Sequence, residues 1–299
     1  MIKGSGRSLL IDTGFGREEC RTALFEGLRE LGIAPHSLDL FLTHMHADHS
    51  GLASDFATFG AKVLMSRVDA AVLVNGIRWD AMGEHAKRHG FPAAELEQAI
   101  AKHPARRFGL NHEVEFAFVQ EGDFIEYNGY SLRAVFTPGH TMGHLCLYEP
   151  YKKILVSGDH ILDHITPNIS LFSDTRNALK EYLESLEKVS RLDVQLVLPG
   201  HRNSFTHFQE RIRQLRKHHD LRCREIIKIL DRYGAMSGYE VASRMRWALT
   251  YERWEQFPVS QKWFACGEAL SHLKYLEAEN KVKNVNGVWE RCERATLSS

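Results

Sequence analysis

The 299-residue sequence is short of several things, and each shortage removes a class of protein. It has five cysteines, Cys20, Cys146, Cys223, Cys266 and Cys292, an odd number with no C-x-x-C pair. A paired disulfide framework is not indicated, and a reducing, cytoplasmic setting fits. No run reaches the roughly 18 apolar residues of a membrane span. The opening "MIKGSGRSLL" lacks the apolar stretch of a signal peptide. Net charge is absent too, with 38 Lys and Arg against 38 Asp and Glu, which argues against a protein that coats nucleic acid. There is no internal repeat and no low-complexity segment.

What is present is an ordinary globular balance, 43% hydrophobic and 25% charged, enough to bury a core without a staple. The charge is unevenly spread. Residues 207–299 carry 17 Lys and Arg against 12 Asp and Glu, and residues 1–206 carry 21 against 26. Histidine is abundant at 17 copies, several beside Gly, Asp or Pro in loop-like contexts.

Strands and helices alternate in the front part. "SLLIDTG" (8–14) and "LDLFLTH" (38–44) read as strands running into loops, with a helix over 18–32 between them. A helix start at "DHSGLASDFATFG" and a strand at "AKVLMS" follow, a strand–loop–helix–strand unit of an α/β layered fold. Residues 67–120 have helical periodicity and read as a helical insertion, in which Trp79, Met82 and His85 either form a lid or, the more ordinary reading, pack in a core. Hairpins are expected over 124–140, turning at Asn128-Gly129, and over 141–160, turning near Glu149-Pro150. An amphipathic helix over 178–192 and a buried strand over 194–201 complete this part. From about 207 three helices and a hairpin turning at Asn286-Gly287 suggest a winged helix-turn-helix.

Each front strand ends in a polar cluster: Asp12, then His44, His46, Asp48 and His49, then His140, Asp159 and His201. Loops at one edge of a layered sheet converge, so these residues are expected to meet. Imidazole and carboxylate suit a borderline divalent ion such as zinc, with manganese or iron as alternatives. His44 and His46, two apart in an extended loop, point to one side and can grip one ion, while Asp48 and His49 turn toward a second.

The motif "THMHADHSG" (43–51) resembles the H-x-H-x-D-H signature of the metallo-β-lactamase superfamily, as do "TPGHTMGH" (137–144), "SGDH" (157–160) and "LPGH" (198–201). "TPGHTMGH" is most similar to the glyoxalase II-like branch. Together with the C-terminal winged helix, it resembles the lactamase-beta-like hydrolases, some of which cut single-stranded RNA. The resemblance implies an αββα sandwich over 1–206, with the insertion at about 67–120, followed by a small, mostly helical winged-helix-like domain over 207–299. It implies that His44, His46 and His140 hold one ion, that Asp48, His49 and His201 hold another, and that Asp159 bridges them. It also implies a strand ahead of "LLIDTG", of which "MIK" is only the tail. Either the chain starts upstream or the sheet keeps an exposed edge, which hints at a homo-oligomer.

The chemistry expected is metal-assisted hydrolysis, in which two ions share a water and the resulting bridging hydroxide attacks an acyl carbon or a phosphorus. Asp48 is expected to bind the second ion and orient the nucleophile, and Asp12 and His144 to fix ligand tautomers. His160, His164 and Asn168 are candidates to line the substrate pocket or to protonate the leaving group. A small acyl compound, a thioester or lactone, is the leading substrate, and single-stranded RNA is the alternative. A DNA-binding regulator is disfavoured, because the third helix (260–276) carries only Lys262 and Lys274 as fixed cations, with Trp263, Phe264 and Tyr275 better placed for packing. The basic stretch 211–224 could instead meet a phosphate-bearing substrate.

Overall fold

Strands that read as unbroken apolar runs must be covered on both faces, and here they are. In the computed structural model, which describes residues 1–110, 112–248 and 250–292, β1 (Ser8–Ile11), β2 (Leu38–Phe41), β3 (Val63–Ser66) and β4 (Phe116–Val119) form a parallel sheet in that order. A second sheet follows chain order through β5 (Phe124–Tyr127), β6 (Tyr130–Phe136), β7 (Leu145–Glu149), β8 (Ile154–Gly158) and β9 (Leu196–Pro199). It is antiparallel up to β8, and β9 runs parallel to β8.

The alternation along each strand sorts the core. Leu10, Leu40, Val63 and Met65 pack with Leu28 of α1 (Glu18–Glu30) and Phe56 of α3 (Ala53–Thr58), beyond the short α2 (Ala47–Ser50). Their neighbours Leu9, Phe41 and Leu64 face the other way, against Ile125, Leu132, Leu145 and Leu147 of the second sheet. Each such side chain contributes about 1.5–3 kcal/mol when fully buried, so the two layers of contact hold the sheets face to face.

The chain divides into two units. The first comprises Met1–Ile77, His103–Pro167 and Glu181–Arg213, and the second Arg78–Lys102, Asn168–Lys180 and Gln214–Ser299. The segment 67–120 is therefore not of one kind. It contains α4 (Arg67–Asn75) and α7 (Pro104–Phe108), in the first unit, and α5 (Trp79–Arg88) and α6 (Ala93–Ala101), in the second. It closes on a strand, β4, that periodicity did not reveal. At the N-terminus, Ile2 makes a single antiparallel bridge to Leu9 on the outer side of β1, so a fragment of pairing precedes the first strand.

Two further helices, α8 (Ala178–Ser190) and α9 (Phe208–Tyr233), precede the last elements. The second unit also contains α10 (Gly238–Arg244), α11 (Val259–Ala278) and a small sheet. In that sheet β12 (Val288–Arg291) lies between β10 (Met236–Ser237) and β11 (Val282–Val285). Both expected Asn-Gly turns occur with positive φ at each residue, 47° and 75° at Asn128-Gly129 and 52° and 88° at Asn286-Gly287. Trp263 of α11 is buried, stacked on Phe172 at 4.2 Å between centroids, and Lys262 pairs with Glu95 at 2.9 Å. His85 is also buried. Among the described residues, no helix is long and apolar enough to cross a membrane.

Candidate metal centre

Sheet edges deliver the candidate ligands. His44 and His46 leave the end of β2, Asp48 and His49 lie in α2, His140 sits in the β6–β7 turn, Asp159 follows β8 and His201 follows β9. The register of β8 against β9 slips between Val156 and Gly158, a bulge that re-aims the chain just before Asp159. All seven residues belong to the first unit.

Three sets of donor atoms each fall within 4.8 Å of one another: His44, His46 and His140; His44, His49 and Asp159; Asp48, His49 and His201. His46 Nδ1 lies 3.1 Å from His44 Nε2 and 2.9 Å from His140 Nε2. His49 Nε2 lies 3.3 Å from His201 Nε2. Asp159 reaches both groups, with Oδ1 at 3.5 Å from His49 and Oδ2 at 3.6 Å from His140 and 3.4 Å from His201. Asp48 Oδ2 is 3.2 Å from His201.

Tautomers follow from the residues behind the rings. Asp12 accepts the Thr43 N–H and the Thr43 hydroxyl, each at 2.8 Å, and the His49 Nδ1–H, also at 2.8 Å. The Thr43 hydroxyl proton is thereby committed to Asp12, so its oxygen, 3.0 Å from His44 Nδ1, accepts from that ring. His44 carries its proton on Nδ1, leaving Nε2 bare toward His46. His49 likewise presents Nε2 to Asp159 and His201. Thr43 went unmarked in the sequence, yet with Asp12 it sets two rings at once. His144 acts similarly elsewhere: its Nε2 accepts the Asp159 backbone N–H at 3.1 Å, so its Nδ1 proton goes to the Thr137 hydroxyl at 2.8 Å. Gly200 allows the closest approach, since a Cβ there would sit 2.5 Å from Asp159 Oδ1 and 2.8 Å from His49 Cε1.

The electrostatics put most of the donors in their ligating forms. Burial, reinforced by neighbouring imidazoles, drives His44, His46 and His144 down, so they are neutral. Burial opposes ionisation of Asp48 and Asp159 but is outweighed by the attraction of the His201 ring, and for Asp159 of the His49 ring as well, so both carboxyls lie below their usual range. His201 is pushed up to about 9 by Asp159 and then Asp48, and His49 is raised because Asp12 overcomes burial. His49 and His201 thus hold protons where a cation would sit, and an ion bound between the Asp48 and Asp159 carboxylates would displace them. Asp159 Oδ1 is buried without a hydrogen-bond partner among the described residues. The donor set therefore fits divalent ions.

The remaining sequence candidates are placed differently. His160 is fully buried, its ring edge-on to Tyr182 with centroids 5.2 Å apart. His164 is exposed and paired with the buried Asp163 at 2.8 Å, which His207 also meets at 3.2 Å. Asn168 belongs to the second unit, where its amide donates to Glu268 at 3.3 Å. Another possible cluster in that unit, His85, His89 and Asp174, suits a different role. Trp289 donates its indole N–H to His89 Nδ1 at 3.2 Å, so neutral His89 is protonated on Nε2, the tautomer of a hydrogen-bonded anchor rather than of a ligand.

Comparison with known proteins supplies a context for this geometry. The profile of the Metallo-beta-lactamase superfamily matches residues 1–201. The acyl-coenzyme A thioesterase MBLAC2 of Gallus gallus is 30% identical over 217 residues, 69% of this chain and 72% of that protein. The lactamase-like protein adaB of Aspergillus niger is 27% identical over 251 residues, 84% of this chain and 64% of its own. Among solved structures, a metallo-beta-lactamase family protein from Thermus thermophilus superposes with a TM-score of 0.83 at 27% identity, covering 97% of this chain and 92% of that one. A beta-lactamase domain protein from Burkholderia ambifaria gives 0.81 at 26% identity, covering 97% and 86%.

Proposed function

The chain belongs to the metallo-beta-lactamase superfamily, a family of hydrolases, and from that premise we propose that it hydrolyses small acyl compounds, thioesters foremost, with two divalent ions, zinc by default. The observation that carries the proposal is the convergence of His44, His46, Asp48, His49, His140, Asp159 and His201 on one sheet edge, with Asp159 Oδ1 buried there without a hydrogen-bond partner among the described residues. His44, His46 and His140 would hold one ion and Asp48, His49 and His201 the other. Asp159, within 3.6 Å of His49, His140 and His201, would be shared.

Ions bound there would polarise the acyl carbonyl and lower the pKa of water. The rest falls to the chain. Asp12 and Thr43 keep His49 and His44 in the ligating tautomers. Asp48 is ionised and half-buried, so it can accept a hydrogen bond from the attacking water and orient it. His144 anchors the backbone of Asp159. The thioester preference is supported by the thioesterase name of the Gallus gallus relative. Residues 207–299, three helices and a hairpin in the order of a winged helix, we read as an appended domain, most of which shares the second unit with α5 and α6.

The test is metal content by mass spectrometry for the parent and a His46→Ala/Asp48→Ala variant, with both assayed on thioester, lactone and single-stranded RNA substrates. About two ions per chain in the parent, lost from the variant together with thioester turnover, are expected. RNA cleavage without acyl turnover would move the substrate to phosphodiesters, and a parent indifferent to chelator and to added zinc would remove the metal hydrolase altogether.

A further inference from the structure

The structure assigns Asp69 as a positioning residue that fixes the distance between the His44–His46 turn and the His140 turn. This inference rests on reading those three histidines as ligands of one ion. Asp69 lies in the first turn of α4, directly after β3, and its residue is fully buried. Its backbone N–H is capped by the Ser66 hydroxyl at 3.2 Å, so the helix cap is a different side chain from that of Asp69. The side chain is directed elsewhere. Oδ2 accepts the Met45 N–H at 3.0 Å and the Thr141 hydroxyl at 2.6 Å, and Oδ1 accepts the Gly143 N–H at 2.7 Å.

Those donors are interleaved with the candidate ligands. Met45 stands between His44 and His46, and Thr141 and Gly143 stand between His140 and His144. One carboxylate thus joins the loop after β2, in the first sheet, to the β6–β7 turn of the second. A backbone bond from Leu145 N–H to the Thr43 carbonyl, 2.9 Å, ties the same segments, and Asp69 adds a brace between the ligand residues themselves. The approach is tight on the other side as well. A Cβ on Gly143 would lie 2.2 Å from Ser66 Oγ and 2.6 Å from Asp69 Oδ1, so the turn is shaped to reach this carboxylate.

Burying a carboxylate is costly unless donors are directed at it. Committing three donors from two ligand turns to one buried group is understandable if the product is a fixed separation. His46 Nδ1 sits 2.9 Å from the nitrogen of His140, a residue 94 positions later, and no local structure sets that distance. Partners behind metal ligands commonly control affinity by about 10–100-fold.

The experiment compares the full-length parent, Asp69→Asn and Ser66→Ala. Asp69→Asn keeps the shape but turns an NH2 toward donors. Ser66→Ala removes the helix cap and leaves the Asp69 carboxylate and its three donors in place. Zinc affinity is read by competition with a chromophoric chelator, the ligand field by visible absorption of the cobalt(II)-loaded protein, and the brace by amide hydrogen exchange at Met45 and Gly143 with and without metal. Asp69→Asn is expected to weaken zinc binding about 10–100-fold, to alter the cobalt spectrum, and to speed exchange at both amides in either state. Ser66→Ala is expected to lower the melting temperature while leaving spectrum and amides as in the parent. Parental affinity and spectrum in Asp69→Asn would overturn the inference, and so would equal losses in Ser66→Ala, which would make helix stability the cause. A parent that binds no zinc would overturn the metal reading itself and this inference with it, an outcome distinct from a parent that loads beside an Asp69→Asn that loads equally well.

Discussion

Replacing Asp12 by Asn removes one charge and almost no volume, yet it should disable His49. The Asp12 carboxylate accepts three hydrogen bonds, two from Thr43 and one from His49 Nδ1. An amide can still accept the Thr43 N–H through its oxygen, but its NH2 then faces the Thr43 hydroxyl and His49. To accept from that NH2, His49 must release the Nδ1 proton and carry it on Nε2, the nitrogen 3.3 Å from His201 and 3.5 Å from Asp159. A protonated Nε2 cannot ligate. Loss of such a partner costs about 10–100-fold in metal affinity, about 1.4–2.7 kcal/mol. A hydrogen bond to a charged group adds about 1.5–3 kcal/mol to the metal-free fold, so that state should soften as well. Chelator competition measures the first effect and denaturant unfolding of the metal-free chain the second. An Asp12→Asn protein with parental zinc affinity would refute the tautomer argument, whatever its stability.

Three further outcomes follow from the same geometry. Thr43→Val leaves the buried His44 Nδ1–H without its acceptor, and unfolding should show a loss of about 1–3 kcal/mol, with zinc affinity falling in the same competition assay. Gly200→Ala places a Cβ 2.5 Å from Asp159 Oδ1, so metal content and hydrolysis should both drop, with overpacking of about 1–3 kcal/mol visible in the melt. Normal metal loading there would show that the site can shift to accommodate it. The third concerns pH. Burial pushes the Asp39 carboxyl up, but Arg7, the Tyr127 hydroxyl and the Lys62 N–H outweigh it, leaving the folded value below the ordinary one. Its stabilisation is therefore complete above the unfolded carboxyl pKa of about 4 and is lost as pH falls through the lower folded value. Parent and Asp39→Asn should differ in unfolding free energy at pH 7 and converge as pH falls below the lowered folded value; a gap that persists in strong acid would mean that packing, not ionisation, is the cause.

The strands around the centre were legible because burial leaves a short apolar run, as in "LLI" and "VLM", each closed by a polar residue. The same rule failed for β4. "FAFV" pairs with β3 across a long, mostly helical stretch of chain, and Phe118 remains exposed on a strand that periodicity alone does not separate from its surroundings. The division into units was harder still. Helices α5 and α6 read like α4, yet they belong with α11, a grouping carried by pairs such as Lys262–Glu95 that no local pattern announces.

At the centre, the candidate ligands announce themselves because metal binding requires rare donor types in close succession. The residues behind them do not. Thr43 looks like a strand end and Asp69 like the third residue of a helix, both common places for those amino acids. Their significance lies in the direction of a hydroxyl proton and in three donors from two distant turns, quantities that exist only once the sheets are packed. Candidate ligands can thus be read from spacing, whereas the protonation state and separation they would need depend on tertiary hydrogen bonds. Sequence searches that score only histidines and aspartates would pass a chain with Thr43 and Asp69 replaced, and such a chain would keep every candidate ligand while losing the arrangement that lets them share an ion.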